Sequence, residues 1–202
     1  MAIVDLSKRI TKDWNLYNRS LKSNKSLIHI NGDVILENVG PASMNLTVGK
    51  RWYDCSKKKY YSISDKGLKV NPGKSIIIES KQEIAVPYNI FGVIFGTGKN
   101  IFKGGFISTG KINPGFHGVL KIGYYNGSDS VIVFEPDDLL ACCSFFEVET
   151  TLETPLEKYL TEPEPEFAPN TLFQRVILWL TENWYSIISL IVSILAIIFA
   201  TN

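Results

Sequence analysis

Cysteine and histidine are scarce: Cys55, Cys142 and Cys143, with His29 and His117, are all that 202 residues contain. Adjacent cysteines rarely bridge each other, and no spacing matches a zinc site. The thiols read as core groups of a reducing compartment, and a His/Cys metal centre is excluded. An excess of charge is also missing. The formal net charge is +1, whereas a dedicated nucleic-acid binder usually carries a basic surplus. Acidic residues are absent altogether from Gly104 to Ser128. The first residues, Met1 to Leu6, lack the basic region and long apolar run of a secretory leader.

One long apolar run is present. From Trp184 to Ala200 the sequence reads WYSIISLIVSILAIIFA without a charge. That is about 17 residues, at the short end of the membrane-spanning range, and as a helix it covers roughly 26 Å. The run follows a change of composition. Thr161 to Pro169 (TEPEPEFAP) alternates proline with glutamate, which makes a stiff extended spacer. Asn170 or Thr171 then caps a lead-in helix from Leu172, with Trp179, Trp184 and Tyr185 suited to headgroup level. Within the apolar run Ser186, Ser189, Ser193, Ala196 and Ala200 recur at spacings of 3 and 4. Such a stripe of small residues lets helices approach closely in lipid.

Between about Leu27 and Thr150 the chain reads as short strands. Ser75–Ser80, Asn89–Gly96, Gly118–Tyr125, Ser130–Phe134 and Cys142–Glu149 are separated by Asn-Pro-Gly, Asn-Gly and Pro-Asp-Asp turns. Short β-rich runs with regular turn signals mean a sandwich or barrel. Before them, Asp5-Leu6-Ser7 opens a predicted short helix through Tyr17. The expected organisation is a polar, partly helical segment (1–26), a β domain (27–160), a Pro/Glu linker (161–170), an interfacial amphipathic helix (171–183) and a transmembrane helix (184–200).

Three segments carry a resemblance. Pro41 to Gly49 (PASMNLTVG) is similar to the PASxDLxxG segment of dCTP deaminases. Asn71-Pro-Gly73 with SIIIESKQEIAVP after Lys74 resembles their PGxxxLxxTxExxxLP stretch, and Gly110 to Gly118 (GKINPGFHG) resembles their xxIDPGFxG hairpin. Tyr125-Asn126, Pro136 and Ser144-Phe145 follow in register. The resemblance, over about Ile35 to Glu147, identifies the chain as a member of the dUTPase/dCTP-deaminase superfamily, nearer the deaminase branch. It implies a mainly β, distorted barrel or jelly-roll domain, a homo-oligomer with a trimer favoured, and a nucleotide pocket between subunits.

The chemical positions depart from that pattern. The deaminase glutamate falls at Gly123, the aspartate of IDPG at Asn113, the glutamine of AQL at Cys142, and the aspartate of SxDL at Asn45. The RSSLAR phosphate motif falls near Gly98 to Lys103, with only its last basic residue kept as Lys103. Attack by water needs a base within reach, and neither glycine nor an amide supplies one. His117 is the other candidate in this stretch and reads better as a hairpin residue. Binding can outlive turnover, and the resemblance implies Lys99, Asn100, Lys103, Ile112, Asn113 and Phe116 as the ligand site, Phe116 stacking on the sugar. No catalytic residue or resident cofactor is expected, and magnesium only with a bound triphosphate. Gly96 to Asn100 is not a P-loop, because Val93 stands where a glycine is required and no Ser or Thr follows Lys99. Lys57, Lys58 and Lys59 read as a solvated turn, or as a contact for anionic lipid.

The expected protein is therefore a catalytically disabled nucleotide sensor on a bilayer, a single-pass protein with a C-terminal anchor and its head in the cytoplasm. Nucleic acid is not an expected partner. Bacterial antiviral defence is a setting suggested by analogy alone. Two alternatives remain open: a tethered active dCTP deaminase or dUTP diphosphatase, and an oligomeric membrane scaffold without a ligand.

Overall fold

The computed structural model describes residues 2–23, 25–31, 41–149, 183–185, 188–189 and 192–193. The chain divides into two units, Met1–Glu164 and Pro165–Asn202.

The first unit starts by tying its N-terminus into the β structure. Val4 N–H donates to the Phe145 carbonyl at 2.9 Å, and Ile3 bridges Phe146. The Asp5 carboxylate then caps α1 (Leu6–Arg9) by accepting from Ser7 N–H. The single helix expected through Tyr17 is broken here. Ile10 and Thr11 form β1, which pairs in parallel with β2 (Ile28–Asn31). Asp13 restarts the helix as α2 (Trp14–Ser20), accepting from Asn15 and Leu16 N–H. An Asp cap satisfies orphan amides of a first turn, so two caps define two short helices. The 1–26 segment is thus continuous in its pairing with the β domain.

The remaining strands are β3 (Met44–Asp54), β4 (Lys59–Ser62), β5 (Leu68–Val70), β6 (Ser75–Ala85), β7 (Ile90–Phe95), β8 (Gly105–Ile107), β9 (Gly110–Ile112), β10 (His117–Asn126), β11 (Ile132–Phe134) and β12 (Leu139–Glu147), with helix α3 (Gly98–Phe102) after β7. Ten of the described strands form one sheet in the order β1-β2-β6-β3-β12-β7-β9. Off this path β10 pairs with β6 and β8, and β4 pairs with β3. β5 and β11 form a separate pair.

Two 11-residue strands carry the topology. β3 pairs with β12 through Met44–Thr47 and with β6 from Val48 onward. The register shifts after Val48, where an added Cβ on Gly49 would lie 2.7 Å from the Glu79 and Ser80 carbonyl oxygens. Only glycine lets the two backbones approach this closely. Long strands that change partners at irregularities turn the sheet back on itself. Among the described residues the sheet does not close, because β1 and β9 end it. The fold is mainly β, as the distorted barrel or jelly-roll expectation has it, but no closed barrel is present among the described residues.

The core follows the pleat. On β10 every second residue from Leu120 is buried: Leu120, Ile122, Tyr124 and Asn126. Ile78, Ile84, Leu46, Leu140 and Phe145 meet them from β6, β3 and β12. Cys143 is fully buried, which pushes its thiol well above the usual range; burial also raises Cys142 and Cys55. All three cysteines are free.

The linker, the interfacial helix and the apolar run expected at 161–200 lie outside the described residues, apart from the last seven named above. Those seven are helical. Ser193 Oγ donates to the Ser189 carbonyl at 2.8 Å, one turn back. The Trp184 and Tyr185 ring centroids lie 4.2 Å apart. Among the described residues no helix is long and apolar enough to cross a membrane.

Candidate functional site

The turn that opens β10 is set by its own sequence. Phe116 N–H donates to the Asn113 carbonyl at 3.1 Å, and Gly115 has φ +79°. Proline second and a left-handed glycine third make a type II turn. Asn71-Pro72-Gly73-Lys74 repeats the arrangement, with Gly73 at φ +71° and Lys74 N–H on the Asn71 carbonyl. The first turn is pinned to the loop after β6, with Gly115 N–H on the Val86 carbonyl and Val86 N–H on the Phe116 carbonyl.

The expected ligand residues do not all face outward. Ile112 is 1% exposed and Phe116 is 7% exposed, both within the core. Phe116 therefore packs inward in the protomer and does not present an open ring for stacking. Asn100 is also buried, and its amide donates to the Leu140 carbonyl at 2.7 Å. It fastens α3 to β12 and has no donor to spare in that direction. Lys99 and Lys103 remain at the surface, at the start of α3 and just after its end. Lys99 Nζ stands 3.9 Å from Asp138 Oδ1, a loose contact. Asn113 is half-buried in the turn. At the head of α3, Thr97 makes no side-chain cap, and its buried hydroxyl has no partner among the described residues.

Gly123 lies opposite Ile77 of β6. Its N–H donates to Ser108 Oγ at 3.0 Å, and its carbonyl accepts from Ser108 N–H at 2.8 Å. A Cβ built there would stand 3.0 Å from Ser108 Oγ. A larger residue at 123 requires the Ser108 hydroxyl to turn aside.

His117 is engaged rather than free. Its Nε2 lies 3.2 Å from Glu83 Oε1, and its ring stacks on Trp14 at 5.1 Å. Trp14 also meets His29 edge-on at 4.8 Å, so both histidines of the chain flank one indole.

A second feature is invisible in the sequence. A cleft of about 410 Å³ runs along the junction of β3, β6 and β10, lined by Gly49, Arg51, Glu79, Ser80, Val119 and Asp137 among others. Glu79 is 6% exposed and receives a two-point contact from Arg51, Nε–Oε2 2.9 Å and Nη2–Oε1 2.7 Å. Such fork-to-carboxylate pairing is strong and directional. Lys81 Nζ pairs with Asp137 Oδ1 at 2.6 Å. Arg51 and Glu79 stand 28 positions apart, and no local pattern links them.

Among solved structures the chain is similar to a 2'-deoxycytidine 5'-triphosphate deaminase from Agrobacterium tumefaciens. The match has a TM-score of 0.51 at 17% identity and covers 58% of this chain and 42% of the deaminase. The first unit has a dUTPase/dCTP-deaminase-like fold. Weaker likenesses reach the EIAV dUTPase (TM-score 0.39, 18% identity, 58% of this chain and 96% of that one). They also reach a mutant dUTPase of Staphylococcus bacteriophage 80alpha solved with dUpNHpp (TM-score 0.43, 14% identity, 67% and 98%). The chain thus spans less than half the length of the deaminase. No protein-family model and no curated protein matches the chain.

Proposed function

We propose that this chain is a membrane-anchored nucleotide-binding protein that holds its ligand without turning it over. The observation that carries the reading is the pairing of Gly123 with Ser108 on a deaminase-like fold. Where the resemblance calls for a general-base carboxylate, the chain has a glycine, hydrogen-bonded through its backbone to Ser108. No carboxylate on Gly104–Ser128 is present to take a proton from water there.

Binding draws on what stays accessible. Lys103 and Lys99 serve as point charges for phosphates, Lys99 after leaving Asp138. The Asn113 side chain and the turn backbone supply polar contacts, Ile112 and Phe116 act from beneath as shape, and any magnesium arrives with the phosphates. A homotrimer brings these elements of neighbouring copies together. The apolar run 184–200 anchors the protein, with the head in the cytoplasm and nucleotide occupancy reported to the membrane segment. Antiviral defence is one setting for such a device.

The test is calorimetry on the full chain in detergent with deoxynucleoside triphosphates, ribonucleotides and cyclic nucleotides. One class saturates, and Lys103→Glu weakens it by about tenfold, equivalent to about 1.4 kcal/mol. Absence of binding across all three classes leaves the scaffold reading in its place. For the anchor, Ile191→Arg moves the protein toward the soluble fraction, since a central charge costs about 2.5–3.5 kcal/mol on insertion scales. A wild-type protein already soluble contradicts it.

One observation favours the tethered enzyme instead. The His117–Glu83 pair can accept a proton. On that reading, product forms and His117→Gln abolishes it.

A further inference from the structure

Lys57, in the lysine-rich turn 57–59, lines a second cleft that includes neither Lys99 nor Lys103. This cleft holds about 340 Å³ and is lined by Trp52, Lys57, Lys69, Asn71, Lys74 and Ser75, with Asp54 as its one carboxylate. Its size falls within the range of small-molecule sites. The three lysines come from three separate places: the β3–β4 turn, strand β5, and the turn before β6. Among the described residues none of the three is ion-paired.

Two features make the cleft a prepared site rather than a coincidence of surface lysines. First, its single carboxylate shapes the turn, since Asp54 Oδ1 accepts from Ser56 N–H at 2.9 Å and Lys57 N–H at 3.0 Å. Its hydrogen bonds hold the turn, and Lys58 is strained into φ +54° there. Second, the opposite wall is clamped from inside. Asn126, fully buried, donates to the Val70 and Ser130 carbonyls at 2.8 Å each. Its N–H and carbonyl bind Lys74 O and Gly73 N. The backbone beside Lys69 and at Lys74 is thereby tied to Asn126. Beside them Tyr61 stacks on Trp52 at 5.1 Å and carries the Lys57 ammonium over its ring at 5.8 Å.

Three lysines against one carboxylate leave the cleft lining net positive, which favours a compact dianion. Asn71, Ser56 and Ser75 offer neutral hydrogen bonds beside them, and Trp52, Val70 and Ile76 offer an apolar wall. We propose that this cleft binds the phosphate of an organic phosphate ester, carried either by a free small molecule or by a lipid headgroup.

Phenyl phosphate titrated into the full chain in detergent, followed by calorimetry, is the direct probe. Saturable binding is expected, and the double variant Lys69→Gln/Lys74→Gln weakens it by about tenfold or more, about 1.4 kcal/mol. The control Lys66→Gln, a lysine outside the lining, keeps wild-type affinity. Repeating the titration in micelles doped with phosphatidic acid distinguishes the sources. Competition that depends on Lys69 and Lys74 assigns the lipid headgroup; undiminished phenyl phosphate binding assigns the free ester. Lack of saturation, or a double variant that binds as the wild type does, overturns the proposal.

Discussion

The strand junction at β3, β6 and β10 and the α3–hairpin region use polar residues in opposite ways. At the junction they are engaged with one another and with the backbone. Thr47 N–H donates to Gln82 Oε1, Gln82 Nε2 donates to Thr47 Oγ1, and Ser80 Oγ links the Gln82 carbonyl to Leu120 N–H. Arg51 and Glu79 complete the set. These bonds replace the ladder hydrogen bonds that the register shifts remove, as buried backbone groups require. Around α3 only Asn100 is spent this way, while both lysines reach solvent. Polar groups near a bulge say how the chain folds; polar groups left over on a short helix are what a ligand can use.

Breaking the junction gives the largest effect. Arg51→Met leaves the Glu79 carboxylate buried without its fork. About 3 kcal/mol of stability should go, read from the urea midpoint. Glu79→Gln costs less, because Arg51 is half exposed and can turn to water. Gly49→Ala follows, at about 1–3 kcal/mol, since its Cβ meets backbone oxygens that cannot step aside.

At α3 the contrast is between neighbours. Asn100→Ala orphans the Leu140 carbonyl and costs about 1–3 kcal/mol, whereas Lys99→Gln and Lys103→Gln stay within about 0.5 kcal/mol. Equal melting shifts for Asn100→Ala and Lys103→Gln would erase the distinction between the two.

A smaller effect lies in alkali. Burial, with a lesser contribution from Tyr88, raises Tyr17 from 10.0 to about 12. The folded chain keeps this proton when the unfolded chain has lost it. The stability that Tyr17 contributes is therefore whole below about pH 10 and declines as pH rises toward about 12. Urea midpoints of wild type and Tyr17→Phe, compared on both sides of that window, should show the steeper alkaline loss in the wild type.

The sequence made the strands and turns legible where local chemistry decides them. Asn-Pro-Gly at 71–73 and 113–115 predicts its own turn, because proline and a left-handed glycine need no tertiary help. Strand β6 runs to Ala85, past the predicted Ser80. Lys81, Gln82 and Glu83 look like a loop, but Gln82 turns inward to Thr47 and the strand continues. Helix α3 was hidden because Gly-Lys-Asn resembles a turn. Its order comes from the Asn100 bond to β12, a contact 40 positions away. The same distance effect concealed the Arg51–Glu79 pair. It also concealed the inward packing of Ile112 and Phe116, which reads as a ligand surface until the Val86 bonds are seen.

The central claim, binding without turnover, is tested most directly by product analysis. Purified full-length protein is incubated with magnesium and dCTP or dUTP; deoxyuridine nucleotides formed from dCTP, and dUMP and pyrophosphate formed from dUTP, are quantified beside a calorimetric titration of the same sample. The account predicts saturable binding of one nucleotide class and no product above the protein-free blank from either substrate. Turnover on the order of 1 per second from the wild-type protein would contradict it.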